Sequence, residues 1–294
     1  MERGITTSNG CQLSYWLRRA QNQPAPTILM IHGAASNHTR WSEFVDATSL
    51  AIDWDLLRPD MRGNGQSFYR GRINLEIWSR DLAEILDAEA APKALLVGHS
   101  LGAQIAIQFA YDYPERVQGL ALIDPVVRDA LTGKRRFLSH NQPPFRALVW
   151  AIQRLNALGL RRQQIPDRDL RELDRETRRA LREGQSAEEI AKRYSALGPI
   201  LRYQPTANYL QQLLATSAPL PDLAAITAPV EVLLSTGITF ADPLVNREAL
   251  EQFPDVHFTS IDANHWPLTE SPDDVRKAIE DWVNERFPKS SGSG

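Results

Sequence analysis

Short apolar runs alternate along this chain with segments of helical period. Ile28-Leu29-Met30-Ile31, Leu56-Leu57, Leu95-Leu96-Val97, Leu120-Ala121-Leu122-Ile123, Val230 to Leu234 and Phe258 to Ile261 each have the length and bulk of a buried strand. Between them, Leu75, Trp78, Leu82 and Ile85 recur at helical spacing behind Asn74, a side chain suited to an N-cap, and Gln104 to Ala110 continues a second helical run. Strands without polar alternation, separated by helices, predict an α/β fold: a mostly parallel central sheet covered by helices on both faces. Ahead of it, Ile5-Thr6-Thr7 and Leu13 to Leu17 flank Asn9-Gly10 and predict an edge hairpin.

The pattern changes between Val126 and Pro219, where no strand-like run occurs. Leu148, Ile152 and Leu155, with Trp150 beside them, predict one amphipathic helix; Leu170, Leu173, Thr177 and Leu181 a second; Tyr209, Leu210, Leu213 and Leu214 a third. Pro143-Pro144, Pro166 and Pro205 punctuate them. The expected organisation is a first core part over 1–125, a helical insert over 126–219, a second core part over 220–288 and a flexible tail over 289–294. The insert is rich in arginine, including Arg161-Arg162, Arg178-Arg179 and Lys192-Arg193. Its acid-first i, i+4 spacings, Asp167 to Arg171 and Asp174 to Arg178, favour a solvated helix face over a membrane-docking surface.

The polar residues that carry chemistry fall at the ends of the strands, where a parallel sheet gathers its reactive groups. Gly98-His99-Ser100-Leu101-Gly102 follows one strand and opens a helix, the setting in which a G-x-S-x-G sequence forms a nucleophile elbow. His32-Gly33-Ala34-Ala35 ends another strand, Asp60 to Ser67 a third, Asp124-Pro125 a fourth, Asp242-Pro243 follows a fifth and Asn264-His265-Trp266 the last. Asp60 to Ser67 lacks the G-x-G-x-x-G spacing and the lysine of a phosphate loop, so it reads as a structural turn.

With these motifs in this order, the chain resembles the α/β-hydrolase family from about Gly10 to Phe287, apart from the insert. The resemblance implies the α/β-hydrolase fold with an inserted helical cap and a Ser-His-Asp triad. One departure stands out: Gly237 to Ala241 lengthens the turn before the Asp that the family's order points to.

A serine hydroxyl attacks only with a base in reach, held in one tautomer by an acid. Ser100 is the expected nucleophile. Of six histidines, His32 and His99 adjoin turn glycines, His38 and His140 sit in polar stretches and His257 lies in a strand-like run. His265 remains as the base. Asp242 is the preferred acid, Asp124 the alternative. The N–H groups of Ala34 and Leu101 are the expected oxyanion hole. With His265 at an ordinary imidazole pKa, activity would rise with pH through about 6 to 7.5.

Composition narrows this picture without redirecting it. The 294 residues carry a formal net charge of −3, which gives no electrostatic reason to expect a nucleic-acid partner. A single cysteine, Cys11, excludes an internal disulfide and a thiolate metal cluster. No apolar run reaches membrane-spanning length and none marks a signal peptide, so a cytoplasmic protein is expected, with no metal and no cofactor. The expected function is a serine hydrolase acting on small to medium, partly apolar carboxylic esters or thioesters. The alternatives are a carbon–carbon bond hydrolase or lyase using the same triad, and a ligand-binding receptor or regulator with little turnover.

Overall fold

The eight strands are β1 (Glu2–Thr6), β2 (Gln12–Arg18), β3 (Thr27–Ile31), β4 (Asp55–Pro59), β5 (Ala94–His99), β6 (Val117–Ile123), β7 (Val230–Ser235) and β8 (Val256–Ile261). In the computed structural model, which describes residues 1–237 and 240–288, they form one sheet in the order β1-β2-β4-β3-β5-β6-β7-β8. The hairpin β1–β2 and the β2–β4 pair are antiparallel; every pair from β4 to β8 is parallel. The expected edge hairpin is present, with Ile5 opposite Leu13.

Because strand side chains alternate between faces, the continuous apolar runs feed two cores at once. On β3, Leu29 and Ile31 point into one core and Ile28 and Met30 into the other; on β6, Leu120 and Leu122 oppose Ala121 and Ile123. The first core is covered by α2 (Leu75–Ala88) and α3 (Leu101–Asp112) through Trp78, Leu82 and Phe109. The second is covered by α1 (Ser42–Ala47) and by the last helix, α12 (Pro272–Arg286), through Phe44, Val275, Ile279 and Trp282. Asn74 caps α2 as its sequence predicts, its side chain accepting from the Ile77 N–H at 2.9 Å.

Between β6 and β7 lie six helices: α4 (Gly133–His140), α5 (Gln142–Ala157), α6 (Leu170–Arg182), α7 (Ala187–Ser195), α8 (Leu197–Tyr203) and α9 (Thr206–Ala215). After β7 come α10 (Pro243–Leu250) and, past β8, the short α11 (Pro267–Glu270). Three of the six inserted helices were expected. The predicted apolar face of α5 is corrected: Val149 is the buried residue, whereas Leu148, Trp150 and Leu155 are exposed. The pairings expected within α6 are corrected too. Asp174 turns toward the core and pairs with Arg40, and Arg178 pairs with Glu43 at 2.6 Å, so this part of the basic insert is tied down on the core. The expected tail, 289–294, lies outside the described residues. Among the described residues, no helix is long and apolar enough to cross a membrane.

Candidate active site

Ser100 sits between β5 and α3 with φ 53° and ψ −115°, a left-handed backbone that a serine adopts only under constraint. The glycines on either side make it attainable. A Cβ on Gly98 would fall 2.5 Å from the Gly102 carbonyl oxygen, and one on Gly102 would fall 2.2 Å from the Ile31 carbonyl oxygen. The helix can therefore press against β3 and β5 only with hydrogen at both positions, and the turn projects Ser100 at the carboxyl end of the sheet.

His265 reaches Ser100 from the loop between β8 and α11. Its Nε2 lies 3.0 Å from Ser100 Oγ. The loop is held from beneath: the His99 ring donates from Nε2 to the His265 carbonyl at 3.0 Å, and the Asn264 N–H and side-chain amide both donate to Glu270 at 2.9 and 2.8 Å. Phe240 stands edge-on to the His265 ring at 4.6 Å between centroids. Burial, with His99 and Arg135 adding to it, holds the His265 pKa well below the usual imidazole value.

The carboxylate beside this imidazole is Asp124. It leaves β6 with φ 43°, donates its N–H to the Leu233 carbonyl, and brings Oδ2 to 3.7 Å from His265 Nδ1. That separation exceeds a hydrogen bond, and among the described residues the buried Nδ1 has no hydrogen-bond partner. Both Asp124 oxygens are engaged by Ser235 at the end of β7: Oδ1 accepts from its N–H at 2.8 Å and Oδ2 from its hydroxyl at 2.6 Å. Burial raises the Asp124 pKa to about 6, against the lowering effect of the two Ser235 hydrogen bonds.

Asp242, preferred from the sequence, is not at this site. It is exposed, and its Oδ1 caps α10, accepting from the N–H groups of Leu244 and Val245 at 3.0 and 3.2 Å. The longer turn explains the displacement: Ala241 bridges Leu131 and the Asp242 N–H donates to the Ala130 carbonyl, so the chain leaves the strand end before Asp242 is reached. Ile238 and Thr239 in that turn lie outside the described residues. Asp followed by Pro at the first helical position is also an N-cap signature, and at Asp242 that is the role the residue fills.

Ala34 and Leu101 flank the nucleophile. Ala34 follows β3 and lines the cavity above Ser100; a Cβ on its neighbour Gly33 would stand 3.6 Å from Ser100 Cβ. Leu101 is the first residue of α3. Among the described residues, neither N–H donates to a protein acceptor. Three side chains absent from the sequence expectation set this turn. Gln212 of α9 accepts from the Ala35 N–H at 2.8 Å and donates to Asn64 Oδ1 at 2.9 Å, and Gln204 donates to the same oxygen at 2.8 Å. Their signal was faint: glutamines beside an apolar helix stripe and an asparagine in a glycine turn. Asp60, at the start of that turn, accepts from the N–H groups of His38 and Gln66 at 2.7 and 2.8 Å, the structural task expected for this stretch.

Above Ser100 lies a cavity of about 480 Å³, of a size suited to a small ligand. The inserted helices roof it with Leu138, Leu173, Ile200 and Leu213, and Trp266 closes one side. Among the described residues, no group of three His, Cys, Asp or Glu side chains is arranged to hold a metal ion.

An apolar chamber over a serine and a histidine, on this strand order, defines a hydrolase fold. The sequence pattern of the alpha/beta hydrolase fold matches residues 26–272, and the chain belongs to that family. Among curated relatives, protein phosphatase methylesterase 1 of Bos taurus is 28% identical over 137 residues, 44% of this chain and 36% of the relative. The matched stretches span only 28% to 36% of the length of the first such relatives. Among solved structures, a hydrolase from Pseudomonas aeruginosa superposes with a TM-score of 0.70 at 20% identity, covering 96% of this chain and 98% of the other. A thermophilic esterase from Thermogutta terrifontis gives 0.66 at 22% identity over 97% and 99%. At such identities the likeness establishes the fold.

Proposed function

We propose that this protein is a serine hydrolase that cleaves carboxylic esters or thioesters through an acyl-enzyme, with Ser100 as nucleophile, His265 as general base and acid, and Asp124 as the orienting carboxylate. The observation that carries this reading is the 3.0 Å contact between Ser100 Oγ and His265 Nε2 at the floor of a largely apolar cavity. His265, held neutral by its surroundings, accepts the Ser100 proton as the oxygen attacks the carbonyl carbon. The imidazolium that forms draws Asp124 in from 3.7 Å, since a charged donor shortens and strengthens the bond. Negative charge on the carbonyl oxygen is received by the free N–H groups of Ala34 and Leu101, and donors fixed in advance are worth a few kcal/mol each. His265 then protonates the leaving group, and a water activated in the same way releases the acid. In this reading the helices over 126–219 act as the cap that encloses the acyl group.

The test is covalent. A fluorophosphonate is expected to give one stoichiometric adduct, on Ser100, by intact mass and peptide mapping, and 4-nitrophenyl esters are expected to turn over with Ser100→Ala as the blank. An unlabelled Ser100 in the folded protein overturns the reading.

A further inference from the structure

Three arginines line the cavity over Ser100, and among its described lining residues there is no aspartate or glutamate. Arg40 is accounted for, since it pairs with the buried Asp174 and donates to Thr269 Oγ1 at 2.6 Å. Arg168 lies over the Tyr203 ring, 4.9 Å from its centroid. Arg135 is joined to the catalytic histidine proposed above through one ring. Its guanidinium carbon stands 3.7 Å from the centroid of Phe240, the ring that packs edge-on against His265.

Phe240 is the ring beneath this charge, and no anion answers it among the described residues. Among the described residues, no carboxylate pairs with Arg135 and no acceptor takes a hydrogen bond from its guanidinium. The residue is half-buried, so it gives up part of its hydration, and a π face returns only a fraction of that. Its place in the first turn of α4 adds a further penalty, because the helix dipole there is positive and disfavours a cation. A planar five-donor fork with no hydrogen-bond acceptor among the described residues, in the cavity that Ser100 and His265 line, fits one ligand chemistry best, a carboxylate that pairs with it side-on.

We propose that the acyl group of the substrate carries a second, free carboxylate, which Arg135 binds while Ser100 attacks the ester carbon. The substrates would be monoesters or monothioesters of short dicarboxylic acids. The Phe240 ring touches both groups, its centroid 3.7 Å from the guanidinium carbon and 4.6 Å from the imidazole centroid, so a spacer of a few methylenes spans the gap. This proposal rests on the hydrolase reading above and narrows it to one substrate class.

The experiment compares two esters that differ at one end: the 4-nitrophenyl monoester of glutaric acid and 4-nitrophenyl pentanoate, each corrected with Ser100→Ala. Wild type is expected to favour the glutarate monoester in kcat/KM by about tenfold or more, the scale of one charge-assisted pair in a partly dry site. Arg135→Gln is expected to abolish that preference, mainly through the KM of the glutarate monoester, read as the ratio of the two kcat/KM values so that any change common to both esters cancels; Arg135→Lys is expected to retain part of it. Thermal melts confirm that each variant is folded. A wild type indifferent to the second carboxylate, or a preference that survives Arg135→Gln, overturns the proposal while pentanoate turnover and Ser100 labelling leave the hydrolase reading intact. If neither ester is cleaved and Ser100 is not labelled, the hydrolase reading falls and takes this one with it.

Discussion

Asp124 and His265 face each other across 3.7 Å at the ends of different strands, with both carboxylate oxygens already engaged by Ser235. The proposed acid therefore sits just past the end of β6 and is clamped by Ser235 at the end of β7.

A direct consequence concerns the two aspartates. Removing the negative charge that supports an imidazolium costs about 10⁴ in kcat in a Ser-His-Asp protease. Asp124→Asn is expected to lose several orders of magnitude in kcat. Asp242→Asn touches only a helix cap on the surface and is expected to keep activity within about threefold, with stability lower by about 1 kcal/mol at most. Kinetics at temperatures well below both melting points check this. A dead Asp242→Asn beside an active Asp124→Asn would reverse the assignment.

The acid limb of the pH profile should report Asp124. His265 is held well below the ordinary imidazole pKa by burial, which favours the neutral ring that is competent as a base. Asp124, raised to about 6, is ionised above that value and protonated below it. The rate is therefore expected to be flat above about pH 7 and to fall as pH drops through the region of 6, a limb that belongs to the coupled pair. Ser235→Ala removes one hydrogen bond that favours the ionised carboxylate, and the limb is expected to move to higher pH. A limb that stays where it was assigns it to another group.

Stability should decline in acid for a different reason. Burial lowers His32 and His99 to about 4 each, against about 6.5 in the unfolded chain. Between those values the unfolded state binds more protons, so stability rises with pH; the contribution is complete above 6.5 and lost as pH falls toward 4. The limit is on the order of 3 kcal/mol per histidine, and Asp124, shifted the other way, offsets part of it. The melting temperature is expected to drop clearly between pH 7.5 and 5. An equal or higher value at pH 5 would show that these rings are not held neutral.

How far the sequence could be read depended on whether a signal was local. The buried strands announce themselves because both faces of each are covered, and the elbow does so because Gly98 and Gly102 answer to contacts only a few residues away or on the adjoining strand. His265 was singled out by elimination, and the structure puts its Nε2 3.0 Å from Ser100 Oγ. The aspartate could not be singled out in that way, since two Asp-Pro pairs look alike in one dimension; the structure puts Asp242 on a helix cap and Asp124 3.7 Å from His265. The helix α4 was missed because Gly133-Lys134-Arg135-Arg136 carries no apolar period, yet it brings Arg135 to the cavity. Asp174 and Arg178, spaced to serve each other, are drawn instead to Arg40 and Glu43 by contacts that no helical wheel contains.

The one side-chain oxygen of Asn64 receives both Gln204 and Gln212, and Gln212 in turn holds the Ala35 N–H. The helices over the cavity are thus not an interchangeable module. Grafted onto another member of the family, residues 126–219 would arrive with two buried amides lacking an acceptor, and the recipient's turn beside its nucleophile would lose the brace that sets its shape. Any exchange of specificity between relatives has to carry Asn64 and the Ala35 turn along with the helices, so recombination at the two obvious seams would yield a core whose catalytic end is loosened.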